Sequence, residues 1–269
     1  MPVKISKITT QKKNKHRYNI FIDYGTHEEY AFSVDEDVLV TYELRKGLPL
    51  TEEFITEIES ADRQQTAYNK VLRYLSYRMR TEQEVRTYLQ KEELTEEHID
   101  IIVERLKKNG FLDDLQFAEM FVRSRLNNSA KGPEVIRQEL ESKGIKSKYI
   151  RIALEQFSRD EERLKAIHLA KKRINRRSND SFQKQINKIK AYLMRNGFSK
   201  DAISHAVQEI LDLQTDDEEW EAIQYHGERL ERRLKKKYEE YELRQKIKEG
   251  LYRQGFSISL INEYLQKND

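Results

Sequence analysis

The sequence contains no cysteine, which excludes disulfides, thiolate metal ligands and thiol nucleophiles together. Three prolines and nine glycines among 269 residues leave long stretches with no chain breaker, as helices require. The hydrophobic share is only 37% against a charged share of 36%, so any core is thin and the exposed surface large, which favours an elongated helical molecule. Long apolar runs are missing as well. No stretch approaches the roughly 20 apolar residues needed to span a bilayer, and the opening MPVKISKITTQKK lacks the apolar core of a signal peptide. The expectation is a soluble cytoplasmic protein with no membrane contact. An excess of one charge is also lacking: 50 Lys and Arg face 47 Asp and Glu, so any anion binding must come from local patches.

Signatures of catalysis are equally scarce. The six histidines, His16, His27, His98, His168, His205 and His226, show no spacing that sets two ligands on one helix face. Phosphate loops, dinucleotide fingerprints and nucleophile elbows do not occur. The sequence therefore predicts no enzyme, no cofactor and no metal site.

What is present begins with alternation. Tyr18, Ile20, Ile22 and Tyr24 share one face of a strand, and Tyr30, Phe32 and Val34 share one after a turn at GTHE, which predicts a β-hairpin. VKISKI supplies the third strand that such a hairpin needs in water. Asp37 to Lys46 reads as a short helix closed by Gly47, and Thr51 as the N-cap of another helix after Pro49.

Helix dominates from there, with an internal repeat. LQKEELTEEHI (89–99), LESKGIKSKYI (140–150), LMRNGFSKDAI (193–203) and LYRQGFSISLI (251–261) align, their leucines recurring at 51, 53 and 58 residues. In this motif the leucine ends one helix, glycine takes the left-handed position past it, and the next apolar residue folds back. Gly144, Gly197 and Gly255 hold that position, and LKKNGF gives Gly110 the same role. Three further helices, DDLQFAEMFVRSRL, RDEERLKAIHLAKKRI and DDEEWEAIQYHGERLERRL, open acidic, carry Ala118, Ala166 and Ala222 at matching places, and end basic. The predicted divisions are a β-module at 1–50, helical repeats at 51–126, 127–178 and 179–237, and a truncated repeat at 238–269. The adjacent carboxylates Asp113 and Asp114 read as the N-cap following Gly110 rather than as a catalytic or metal-binding pair, because no convergent group accompanies them.

Positive charge is clustered. KKNKHR occupies 12–17, Arg123, Arg125 and Lys131 follow the first acidic-to-basic helix, eight cations face three acids over 159–177, and six face Glu231 over 229–237. Stacked repeats would align such helix ends into a stripe suited to an acidic protein groove or a phosphate backbone. The competing reading is a set of solvated faces with intrahelical pairs, and the acidic segment DLQTDDEEWE (212–221) interrupts the stripe. Tyr68, Tyr74, Tyr77 and Tyr88 crowd the first repeat, as base-stacking platforms or as packing, and Trp220 reads as a staple for its own repeat.

TEQEVRTYL (81–89), GFLDDLQFAEMFVRSR (110–125), KGPEVIRQELESKGI (131–145) and YLMRNGF (192–198) resemble, in order and spacing, the RecX family of bacterial recombination regulators. The resemblance runs from about Leu72 to Phe198, with weaker likeness on to the C-terminus, and this chain adds to the shorter members an N-terminal β-module and a fourth, incomplete repeat. It implies tandem three-helix repeats curved into a crescent, lodged as a single copy in the groove of a RecA filament on single-stranded DNA. There it would impede filament growth and dampen ATPase and strand exchange, with no catalytic centre of its own. The family's signature falls on Gly110, Phe111, Asp113, Asp114, Phe117, Ala118, Arg125, Gly132, Ile136, Leu140, Lys143, Gly144 and Ile145. Candidate contacts to the filament or to DNA are Arg123, Arg125, Lys131, Arg137, Lys143, Lys171, Lys172, Arg173, Arg176, Arg177, Arg232 and Arg233. Two other readings stand beside it, a helix-turn-helix duplex reader and a protein scaffold without DNA contact. The reader is weakened because SKYIRIALEQF and SKDAISHAVQEI are poor in the Arg, Asn and Gln pairs of base recognition.

Overall fold

A computed structural model describes residues 3–25, 27–92, 94–175, 178–213 and 215–267. Strands β1 (Val3–Thr10), β2 (Arg17–Asp23), β3 (Glu28–Asp35) and β4 (Pro49–Leu50) form one antiparallel sheet in the order β3-β2-β1-β4. Alternation sends Ile5, Ile20, Ile22, Phe32 and Val34 into a core closed by Val38, Leu44, Leu50 and Ile58. The short helix is α1 (Glu36–Thr41), shorter than the 37–46 read from sequence. It closes on Glu43 rather than Gly47: Glu43 takes φ 48, and Leu44 donates its N–H to Leu39 O while its side chain enters the core. Gly47 instead turns the chain into β4 and donates its N–H to Ile5 O.

Arg17 fastens this sheet to α2 (Glu52–Ser76). Its guanidinium donates to Asp62 at 2.7 Å, to Thr66 at 3.0 Å and to Ser33 O at 3.1 Å, and Asp62 also accepts the Asp35 N–H at 2.6 Å. The carboxylate is buried, so removing Arg17 would leave it without its charge partner at a cost of about 3 kcal/mol or more.

The molecule divides into two compact units, Met1–Phe117 with Lys143–Ile145, and Ala118–Ser142 with Lys146–Asp269. In the first, α2, α3 (Glu82–Leu89), a 3-10 turn (Gln90–Glu92) and α4 (Glu96–Lys108) enclose Val71, Val85, Leu89, Ile99, Val103 and Leu106. Thr81 starts α3 with a reciprocal capping box to Glu84. Helix α5 (Asp114–Asn128) leads into α6 (Pro133–Ser142), α7 (Ser147–Leu154), α8 (Arg159–Arg173), α9 (Phe182–Arg195) and α10 (Lys200–Leu211), and then α11 (Asp216–Leu234), α12 (Glu240–Arg253) and α13 (Ile258–Lys267).

The buried clusters set the phase of the repeat. Ala166 and Ala170 of α8 pack with Ile186, Leu193, Ile203 and Ile210 of α9 and α10. Ala222 and Ile223 of α11 pack with Ile247, Leu251, Phe256 and Ile261 of α12, α13 and the turn between them. Each long helix thus joins the hairpin that follows it, whereas boundaries at 178/179 and 237/238 would attach it to the hairpin before. The last three helices consequently form a full module with its own core rather than a truncated one. Small residues decide this, because Ala166, Ala170 and Ala222 let the hairpin close onto the helix backbone.

Gly110, Gly144, Gly197 and Gly255 all take positive φ, between 73° and 95°, as the motif requires. Gly197 meets a second demand. A Cβ there would lie 2.5 Å from the Val135 backbone nitrogen, while Gly132 donates its N–H to Asn196 O at 2.7 Å. The turn between α9 and α10 therefore seats directly on the start of α6. Ser181, the N-cap of α9, makes the corresponding contact by donating its hydroxyl to Gln254 O at 2.5 Å, and Thr81 does so to Lys143 O at 3.0 Å.

Candidate partner-binding surface

The adjacent carboxylates Asp113 and Asp114 separate into two structural roles. Asp113 accepts the Gln116 N–H at 2.9 Å and starts α5, whereas Asp114 accepts the Glu82 N–H at 2.8 Å, at the start of α3. Glu219 of α11 repeats the second role, accepting the Phe182 N–H of α9 at 2.9 Å. Burial raises the Glu219 carboxyl above its usual range against that hydrogen bond. Among the described residues, no group of three or more His, Cys, Asp or Glu is placed to hold a metal ion. No described helix is long and apolar enough to cross a membrane.

Most of the candidate cations already have acidic or aromatic neighbours. Arg125 and Lys131 converge on Glu139, Arg125 at 3.0 Å, with the Arg125 guanidinium also 4.6 Å from the Phe121 ring centre. Burial pushes the Glu139 carboxyl up, but hydrogen bonds from Lys131 and Arg125 outweigh it and hold the group low. Arg137 sits between Glu134 at 2.6 Å and Glu141 at 2.5 Å, which raise its guanidinium further above an already high range. Lys143 lies 3.7 Å from Glu84 and 6.0 Å from the Phe117 ring centre. Lys171 pairs with Glu209 at 2.9 Å, Arg173 stacks on Tyr192 at 3.9 Å, and Arg232 reaches Glu228 at 3.5 Å. Arg123, Lys172 and Arg233 are exposed and meet no carboxylate among the described residues. Arg176 and Arg177 lie outside the described residues.

The surface is therefore mixed: free cations stand beside cations in exposed pairs. Such pairs contribute only about 0–1 kcal/mol, so an incoming anion can exchange with the internal acid at small cost. Basic residues occupy the last turns of α5, α8 and α11, where they also offset the negative helix ends. Lys165, one of the cations of the 159–177 cluster, has a structural role. Half-buried in α8, it donates to the carbonyls of Arg125 at 3.0 Å and Leu126 at 2.9 Å, and burial lowers its ammonium. Nothing in its local spacing reveals a partner 40 residues away.

The signature positions are mainly architectural. Phe117, Ala118, Ile136, Leu140 and Ile145 are buried, Gly110 and Gly144 have left-handed backbone, and Gly132 forms the close contact with Gly197. Phe111 is the exception, being exposed. Of the tyrosines, Tyr68 is buried beneath Arg105, and Tyr74 stacks on Tyr88 at 4.4 Å. Trp220 packs near Tyr264 and carries the Lys267 ammonium 4.1 Å from its ring centre, which suits a staple within its module.

One half-buried histidine gives the last module a pH dependence. His226 of α11 lies against Phe256 with Nε2 shielded and unbonded. Burial lowers its pKa below the ordinary 6.5, Lys184 and Arg229 push the same way, and Asn179 and Asp180 oppose them. Because the unfolded chain takes up this proton first, the stabilisation is complete above 6.5 and is lost as pH falls through the depressed folded value. The melting temperature of the wild type is expected to fall as pH drops below 6.5. His226→Gln is expected to remove part of that slope.

Comparison with known proteins follows the same division. Residues 3–51 match the Regulatory protein RecX N-terminal domain, 67–106 match the first RecX three-helix domain, and 113–154 match the second. Residues 160–207 and 216–265 both match the third. Each helical match begins within or beside α2, α5, α8 or α11, the same phase as the buried clusters. A protein called Regulatory protein RecX from Oceanobacillus iheyensis is 47% identical over 268 residues, covering 98% of each chain. Another of that name from Halalkalibacterium halodurans is 40% identical over 97% of this chain and 98% of its own. A crystal structure of regulatory protein RecX superposes with a TM-score of 0.69 at 38% identity, covering 77% of this chain and all of that one. The RecX structure from Lactobacillus salivarius gives 0.54 at 39% identity, over 57% of this chain and 99% of its own.

Proposed function

The chain belongs to the RecX family of regulatory proteins, and from that premise we propose that it binds the RecA filament on single-stranded DNA and restrains it. It blocks filament extension and lowers ATPase and strand exchange in recombination and repair. It acts in the cytoplasm as a single copy, without chemistry of its own. The observation that carries this reading is the match to RecX relatives along nearly the whole length of the chain. The cations at the ends of α5, α8 and α11 support the electrostatic half of the mechanism. They meet acidic filament surface or exposed phosphate, and many weak contacts along several modules add through effective concentration.

The test is binding of the full chain to three targets, the filament, naked single-stranded DNA and naked duplex, each over a series of salt concentrations. Preference for the filament, weakening as salt rises, is the expected result. A sequence-specific preference for duplex would replace this reading with that of a helix-turn-helix reader.

A further inference from the structure

The first unit carries a groove that the helix-end cations do not account for. Leu72 and Leu75 of α2, Met79 and Arg80 beyond it, and Gly110 and Phe111 after α4 line a depression of about 360 Å³ with largely apolar walls. Phe111 is 53% exposed, whereas Ile145, Phe198 and Phe256, which also follow a motif glycine, are buried at 4%, 5% and 2%. Leu112 takes the core position beside it, so the phenyl ring is left facing outward. Tyr77, at the end of α2, is 80% exposed.

Arg80 supplies the polar half of the groove. Its guanidinium lies 3.9 Å from the Tyr74 ring centre, and Tyr74 is itself stacked on Tyr88, so the group is held in place before any ligand arrives. Its Nε is shielded from solvent and donates to nothing, and no carboxylate pairs with it among the described residues. Nearby acids are already engaged: Glu84 with Arg78 at 3.1 Å, Glu82 with Arg86 at 2.8 Å, and Asp113 with the Gln116 N–H. Because Nε is covered, an incoming acceptor meets the guanidinium through its other N–H groups, and a fixed arginine fork favours a carboxylate.

We propose that this groove docks an acidic segment of the recombinase, a carboxylate meeting Arg80 while a neighbouring apolar side chain covers Phe111 and Met79. The assignment rests on the reading that this chain engages the filament. A protein segment fits better than nucleic acid, because a phosphate backbone calls for several convergent cations. The groove offers one cation, and Asp113 stands on its rim.

The test uses full-length Phe111→Ser, Arg80→Met and Arg80→Lys, each titrated against the RecA filament on single-stranded DNA and against the same DNA without recombinase. Phe111→Ser and Arg80→Met are expected to weaken filament binding by about tenfold or more. Arg80→Lys is expected to weaken it also, since lysine keeps the charge but lacks the planar fork. Naked-DNA binding should stay at the wild-type value. Phe111 is exposed, so its variant should melt as the wild type does and decides the matter if an Arg80 variant unfolds. Wild-type filament affinity in Phe111→Ser would overturn the proposal, as would an equal loss on naked DNA, which would make the groove a base-stacking site. Failure of the wild type itself to bind the filament would instead overturn the functional reading, and the groove assignment with it.

Discussion

Replacing Lys171, Lys172 and Arg173 together by glutamate is expected to abolish inhibition of the RecA ATPase while leaving the helical circular dichroism intact. The three residues form the last turn of α8. Lys172 is free among the described residues, Lys171 shares a surface pair with Glu209, and Arg173 rests on Tyr192. Folding loses only surface terms, none of which involves the buried core. The surface pair is worth about 0–1 kcal/mol, the ring contact about 0.5–1 kcal/mol, and reversed charge at the helix end about 0.3–1 kcal/mol per residue. An acidic filament surface would then face three like charges, and such juxtaposition costs several kcal/mol, which corresponds to a loss of about a hundredfold or more in inhibitory potency. The check is ATP turnover on single-stranded DNA across a concentration series of the variant, with thermal melting alongside. Full inhibition by a folded variant would remove this turn of α8 from the interface.

Gly197→Ala is expected to be the most damaging small substitution for stability, at about 3 kcal/mol or more. Its φ of 81° lies where a side chain is strained, a cost of roughly 1–3 kcal/mol. The new methyl would also stand 2.5 Å from the Val135 backbone nitrogen, which cannot move aside as a side chain would. Gly110→Ala is the control, with a similar φ of 73° but nothing within 4 Å of the added carbon. It should cost only the strain. Denaturant midpoints for the two variants separate the contributions, and equal losses would mean that the close seating of the turn on α6 adds nothing.

The hairpin strands, the Thr51 cap and the glycine-ended helix pairs were legible because each rests on local chemistry: side-chain alternation, one capping oxygen or one left-handed residue. The grouping of helices into modules was not. A repeat of long helix and hairpin reads equally well in either phase, and only the burial of Ala166, Ala170 and Ala222 against the following hairpin selects one. The same limit split Asp113 from Asp114, since the partner of Asp114 is 32 residues away in sequence. Charge clusters at the ends of α5, α8 and α11 were visible as runs of Lys and Arg, but Glu139 and Glu209, which share their charge, were not. Arg80 and Phe111 gave no combined signal either, because one follows α2 and the other follows α4.

The most direct measurement is the extension of a fluorescently labelled RecA filament along single-stranded DNA, with and without the full-length chain. Extension should halt on addition of the chain, with the DNA left uncut and no nucleotide consumed by the chain alone. Unchanged extension in the presence of a folded, monomeric chain would contradict the account.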